Sequence, residues 1–141
     1  MTADFPIPPP TPQLVHVLAN LPALADDVGD RVSTVLDATL PALRVALVGY
    51  TGSAAAEWEV LPMYQVEVWA ADEIDAERIA WNLANAWPSS TKEFHGDGCI
   101  HGRWIVQLPQ SLPPNDDEAK KTDLARFFVT VAFRLTGASH G

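Results

Sequence analysis

Side chains that can do chemistry are concentrated in one short segment, residues 92–102, which read KEFHGDGCIHG. Its alternate positions hold His95, Asp97, Cys99 and His101. Imidazole, carboxylate and thiolate groups all bind zinc, and alternate residues of one strand project to the same side. The pattern therefore leaves open a small metal-dependent enzyme built on these four residues.

The spacing favours a turn over a metal centre. Structural zinc sites usually combine two ligand pairs, and the other histidines, His16 and His140, lie far away in sequence. Cys99 and a histidine two residues away on one strand would point sideways rather than at each other, so a surface thiol is expected instead of a nucleophile. We predict a glycine-punctuated turn leading into a strand, with no metal ligand, cofactor or catalytic residue.

Other catalytic signatures do not supply an alternative. The sequence holds no G-x-x-x-x-G-K-[ST] phosphate loop, no G-x-G-x-x-G fingerprint and no H-E-x-x-H pair. An interaction protein is the class that remains.

The balance of charge argues against a protein that grips nucleic acid. Eighteen acidic residues stand against nine basic ones, a formal net charge of −9. The basic residues are scattered, whereas DNA-binding proteins cluster them to neutralise phosphates. An acidic surface suits a channel through which DNA slides without sticking, although solubility alone explains it equally well.

Length and composition predict one domain that stays in the cytoplasm where it is made. The 141 residues fit a single core. No run reaches the roughly 18 apolar residues of a membrane-spanning helix, and we expect no membrane contact. We divide the chain into a Pro-rich arm at residues 1–10, a domain at residues 11–137 and a short tail at residues 138–141.

The first half of the domain predicts a helix and two strands. Thr11 is a candidate N-cap, with Pro12 at the first helical position, for a helix at residues 11–21. Residues 31–36 and 43–48 are β-branched and apolar, and we predict that they form a hairpin. A longer connection at residues 49–61 carries Trp58, a candidate contact residue, and a loop tip folded back onto its own sheet is the commoner explanation for such an aromatic.

The middle of the chain changes from a period of 2 to a period of 3.6. Tyr64, Val66 and Val68 alternate with polar residues, which predicts a strand with one buried face. Asp72 then occupies an N-cap position, and an amphipathic helix is predicted from there to Trp87, where Pro88 stops it.

The closing strand is predicted at residues 124–137. Its odd-numbered residues from Phe127 to Leu135 form one apolar face. The opposite face carries Arg126, Phe128 and Arg134, a mixture closer to a protein contact than to plain solvated surface. Burial under a helix of the same chain remains an equal alternative for Phe128.

Together these patterns predict an α+β domain in the order α-β-β-β-α-β-β. We expect a mixed, mostly antiparallel sheet of about five strands with two main helices packed on it.

The strand ending VEVWA, the helix beginning DEIDAERIA and the closing strand RFFVTVAFRL resemble the tail terminators of long-tailed phages, especially those of actinobacterial phages. The resemblance implies a homo-oligomer, a hexameric ring that caps the tail tube, ends its growth and joins the head connector. It also implies a virion location, with DNA passing through the lumen unbound.

Within that resemblance, two surfaces are candidates for function. Arg126, Phe128, Arg134 and Trp58 are candidate subunit-interface residues. The acidic run Asp116, Asp117 and Glu118, in the loop between the last two strands, is a candidate lumen lining. Another connector protein of the phage neck remains an alternative, because it would share the size, the acidity and the lack of catalytic motifs.

Overall fold

The structure, a computed structural model, describes residues 6–51, 59–111 and 124–138. In chain order, its helices and strands are α1 (Pro10–Ala19), β1 (Val32–Ser33), β2 (Ala42–Tyr50), β3 (Glu59–Val60), β4 (Pro62–Ala70), α2 (Glu73–Ala86), β5 (Glu93–His95), β6 (Gly98–Ser111) and β7 (Ala125–Gly137). A short 3-10 turn, Pro22–Leu24, follows α1. The α+β class is therefore confirmed, with two α-helices in the described ranges.

The strands form one mixed sheet in the order β1-β2-β4-β7-β6-β5, and β3 also pairs with β7. Of the pairings between these strands, β1 with β2 is parallel and the rest are antiparallel. The predicted count of five strands was too low. The two additional strands, β3 and β5, are two and three residues long, too short to show a period of 2 in the sequence.

The predicted hairpin between the first two strands is wrong. β1 runs parallel to β2, with Val32 opposite Leu43. The Arg31 side chain donates hydrogen bonds to the carbonyl oxygens of Asp27 (2.6 Å) and Pro41 (2.8 Å). These bonds hold the residues before β1 next to the residue before β2. Strand propensity reports how a segment fits a sheet and does not specify the direction of pairing.

Helix α1 begins one residue earlier than predicted, and Thr11 is not its cap. Pro9 occupies the N-cap position without a side-chain hydrogen bond. The Thr11 hydroxyl instead shares a 2.7 Å hydrogen bond with the hydroxyl of Tyr64 on β4. Part of the predicted arm is also ordered against the domain, because Ile7 packs on the core.

Helix α2 agrees with its prediction. Asp72 is the N-cap, and its Oδ1 accepts the backbone N–H of Asp75 at 2.8 Å. At the other end, the buried Trp87 donates its indole N–H to the carbonyl oxygens of Trp104 (3.0 Å) and Ala132 (3.2 Å). This contact anchors the end of α2 to β6 and β7.

The core lies between the helices and one face of the sheet. The odd-numbered residues of β7 are buried there, as predicted. They pack with the core-facing residues of β4 and with the apolar stripe of α2: Phe127, Val129, Val131, Phe133, Leu135, Tyr64, Val66, Val68, Ile79 and Leu83. No helix within the described ranges combines the length and the hydropathy that crossing a bilayer requires.

Candidate subunit interface

The face of the sheet opposite the core, called here the second sheet face, is defined by Arg44, Glu67, Trp69, Arg126 and Phe128 on its three adjacent strands β2, β4 and β7. The pairing register places Arg44 beside Glu67, Glu67 beside Phe128, and Trp69 beside Arg126. Because strand residues alternate between faces, all of them lie opposite the apolar core residues. The predicted alternation of β7 is therefore confirmed.

A tryptophan between two arginines occupies the centre of this group. Trp69 is only 2% exposed, and the guanidinium carbons of Arg126 and Arg44 lie 4.9 and 5.4 Å from its ring centroid. Such positions are attractive because a cation interacts with the negative face of an aromatic ring.

Glu67 fixes the arrangement by binding two of these neighbours at once. Its Oε1 accepts the Nε–H of Arg44 and the indole N–H of Trp69, each at 2.9 Å. The second terminal nitrogen of Arg44 also lies 2.7 Å from the same oxygen. Glu67 is 8% exposed, and its carboxylate is paired and hydrogen-bonded, as a buried charge requires.

The candidate interface residues are spread over this face. Arg126 and Phe128 are half-buried and lie opposite Trp69 and Glu67 in the sheet. Arg134 is exposed and lies toward the other end of β7. The Nε of Arg134 forms a 3.3 Å ion pair with Glu59 of β3. Trp58 and the candidate lumen residues Asp116, Asp117 and Glu118 lie outside the described residues. Their roles at an interface or in a lumen stay predictions.

The candidate zinc cluster is divided between two faces of the sheet. His95 belongs to β5 and stacks on His16 of α1, with ring centroids 3.7 Å apart. The His101 ring instead shares a 2.7 Å hydrogen bond with the Thr136 hydroxyl of β7. Among the residues that the structure describes, no group of three or more His, Cys, Asp or Glu side chains is arranged to hold a metal ion.

Cys99 is buried, so the expected surface thiol is wrong. Burial raises the pKa of this thiol, because a thiolate is poorly solvated there. Burial also lowers the pKa of His101, an effect that Arg134 reinforces. Neither group is therefore tuned toward a thiolate and imidazolium pair. The predicted turn is present at His95–Gly98, where Gly96 has a φ of 54° that favours glycine.

Residues 137–141, GASHG, fit the spacing of a G-x-S-x-G nucleophile elbow, which sequence reasoning missed. An elbow serine stands at a strand-to-helix turn of an α/β-hydrolase sheet. Here the preceding strand β7 is antiparallel to β3, β4 and β6. Ser139 and His140 lie outside the described residues, so the match is one of spacing alone.

Sequence reasoning also missed a polar cleft between α1 and the β5–β6 hairpin. The cleft has a volume of about 220 Å³, and its lining includes Gln13, His16, Glu93 and Arg103. The Arg103 side chain is 8% exposed; its Nε lies 3.4 Å from Glu93, and its guanidinium lies 5.0 Å from the Trp87 ring centroid. The one signal of this cleft in the sequence is Arg103, a basic residue two positions before Ile105, on the face of β6 that points toward the core.

Comparison of the chain with protein-family models and with curated proteins found no match.

Proposed function

We propose that this protein is a phage tail terminator, a ring-forming structural protein that caps the tail tube, ends its polymerisation and provides the joining surface for the head connector. The observation that supports it best is the packing of the three segments that carry the resemblance. β4 leads directly into α2, and β4 pairs with β7 continuously from Met63 opposite Ala132 to Ala70 opposite Ala125. These segments thus form one structural unit rather than three separate sequence similarities.

The second sheet face supplies surface for the contacts that such a protein needs. Its partly exposed residues include Phe128 and the two arginines, Arg44 and Arg126, that flank the buried Trp69. Aromatic residues and arginine are enriched in protein interfaces. In this proposal the protein works through contacts with its own copies, with the tail tube and with the connector. No catalytic residue and no cofactor takes part.

The ring is proposed to be a hexamer located in the virion, at the head-proximal end of the tail. DNA passes through it without specific binding, which agrees with the formal net charge of −9 on each copy. Like charge on the wall and on the phosphates suppresses adhesion.

The proposal is tested by polymerising the tail tube protein encoded in the same genome with and without this protein. Tubes grown with it are expected to be shorter and to carry a ring at one end in negative-stain images. The control is an equal amount of heat-denatured protein. Unchanged tube lengths without end-bound rings would contradict a terminator role, and binding to the connector alone would favour another neck protein.

A further inference from the structure

Within the part of the chain that the structure describes, one stretch of each of the long strands β2 and β6 has a strand partner on one side only. β1 reaches β2 no further than Arg44, which leaves residues 45–50 paired with β4 alone. On the other side of the sheet, β5 and a bridge from Ser89 reach β6 no further than Arg103. Residues 104–111 are then paired with β7 alone.

The two stretches lie at the same level of the sheet and run in opposite directions. Leu47 pairs with Tyr64, Tyr64 with Val131, and Val131 with Ile105, so one line of partners joins the two edges. β2, β4, β7 and β6 are successively antiparallel, so β2 and β6 are antiparallel to each other. When copies are related by rotation about an axis roughly parallel to the strands, the strand directions do not change. β6 of one copy then lies antiparallel to β2 of the next.

Neither stretch carries a charged side chain. Residues 45–50 read VALVGY and residues 104–111 read WIVQLPQS, in a protein in which 19% of residues are charged. Leu47 and Val106 are both close to half exposed, at 46% and 45%. Monomeric proteins commonly place charges on edge strands to prevent pairing. Pro109 has no backbone N–H to donate, which leaves residues 104–108 as the usable part of β6. One register shift lies within each stretch, between Leu47 and Gly49 on β2 and between Ile105 and Gln107 on β6.

We infer that neighbouring copies of this protein pair head to tail, with residues 104–108 of one copy beside residues 45–50 of the next. The inference rests on the proposed ring function and specifies its repeating contact. A ring requires two different patches on each copy, and the two edges are such a pair. Pairing of each edge with its own kind would need two separate two-fold interfaces instead of one repeated contact.

The test uses two variants, Leu47→Lys on the β2 edge and Val106→Lys on the β6 edge, with Ile74→Lys as the control. Ile74 is 80% exposed and lies on α2, outside both stretches. Melting curves first establish that all three variants fold. Native mass spectrometry then measures assembly against concentration for each variant and for an equimolar mixture of the two edge variants.

Each edge variant alone is expected to raise the concentration needed for assembly by about tenfold or more, because a lysine on an edge strand opposes pairing with another strand. The Ile74→Lys control should assemble like the wild type. The mixture is expected to form a 1:1 dimer and to stop there. One intact β6 edge and one intact β2 edge can meet, and both remaining edges are blocked.

Three results would overturn the inference: normal assembly of either edge variant, a mixture without the 1:1 dimer, or a wild type that stays monomeric at every concentration. The tube-length assay separates this outcome from the proposed function. If the mixture forms the 1:1 dimer but tube lengths are unchanged, the terminator role is rejected and the edge contact is retained. If tubes are shortened but the edge variants assemble normally, the edge contact is rejected and the terminator role is retained.

Discussion

Glu67 links Arg44 and Trp69 through a single, mostly buried carboxylate oxygen. Replacing Glu67 with Ala would leave the buried indole N–H without its acceptor, so we expect the free energy of unfolding to fall by about 1 to 3 kcal/mol. Glu67→Gln should cost less, because the amide oxygen still accepts. Urea denaturation of both variants measures the difference.

Glu77→Ala is the matched control for this prediction, because Glu77 is an exposed glutamate on α2. Its change should alter stability by no more than about 0.5 kcal/mol. Equal effects of Glu67→Ala and Glu77→Ala would show that the carboxylate does not support the second sheet face.

The stacked pair of His16 and His95 predicts that stability depends on pH. Burial, and then the neighbouring His95, lower the pKa of His16 from its ordinary value of 6.5. Below that value the unfolded chain binds more protons than the folded chain at this site, so stability falls as the pH falls. The stabilising contribution is complete above pH 6.5 and is lost as the pH passes through the lower folded pKa.

The measurement is the free energy of unfolding between about pH 7.5 and pH 5, a window that brackets an ordinary histidine pKa. His16→Gln should lose less stability on acidification than the wild type does. His101→Gln is the companion variant, because the pKa of His101 is also lowered and contributes in the same direction. A wild type and His16→Gln with identical slopes would show that His16 contributes nothing to this dependence.

At the scale of elements, the N-cap of α2 gives a direct prediction. Asp72→Ala removes the acceptor of the Asp75 N–H, and we expect a loss of about 0.5 to 2 kcal/mol in thermal or urea unfolding. Asp72→Asn keeps a capping oxygen and is expected to stay within a few tenths of a kcal/mol of the wild type. If both variants lose the same amount, the negative charge rather than the hydrogen bond is the stabilising feature.

Elements differ in how well the sequence predicts them, because their signals differ in length. α2 has a cap, an apolar stripe and a terminating Pro88, all local features, and its predicted bounds agree with the structure. α1 lacks a side-chain cap, and its Thr11 hydroxyl is used by Tyr64, a residue 53 positions away. Local reasoning has no access to such a partner.

For the whole molecule, we expect monomers at low concentration. At high concentration, or on a tail tube, we expect a ring of six copies. Every copy carries a formal charge of −9, so copies repel each other. Raising the ionic strength from about 0.01 M to about 0.15 M shortens the Debye length from about 30 to about 8 Å and should favour assembly.

Native mass spectrometry across concentration and volatile salt would measure this dependence. A tight two-fold dimer at all concentrations would count against the ring, and assembly that weakens with salt would indicate contacts made mainly by opposite charges.

The acidic run gives a second prediction at this scale. If Asp116, Asp117 and Glu118 line the lumen, their carboxylates repeat around the ring and repel DNA within about 8 Å at physiological salt. Replacing all three with Lys should then slow DNA release and lower the phage titre, while rings still form. The same substitutions on an external loop would leave the titre unchanged.

The sequence alone determined the α+β class, the bounds of α2 and the buried face of β7, because these depend on local periodicity. It also indicated that Arg126 and Phe128 share one face, since alternation along a strand is a local property. What it could not indicate was which strands lie next to each other.

The tertiary structure decided the parallel pairing of β1 with β2, the separation of His95 from His101, and the contacts of Trp69 with Arg44 and Arg126. The contacts of Trp69, His95 and His101 join residues that are tens of positions apart in sequence. The direction in which β1 pairs is not specified by its own residues. Sequence spacing specifies the face on which a side chain lies, whereas strand order specifies its neighbour. The two free edges at one level of the sheet arise from that order.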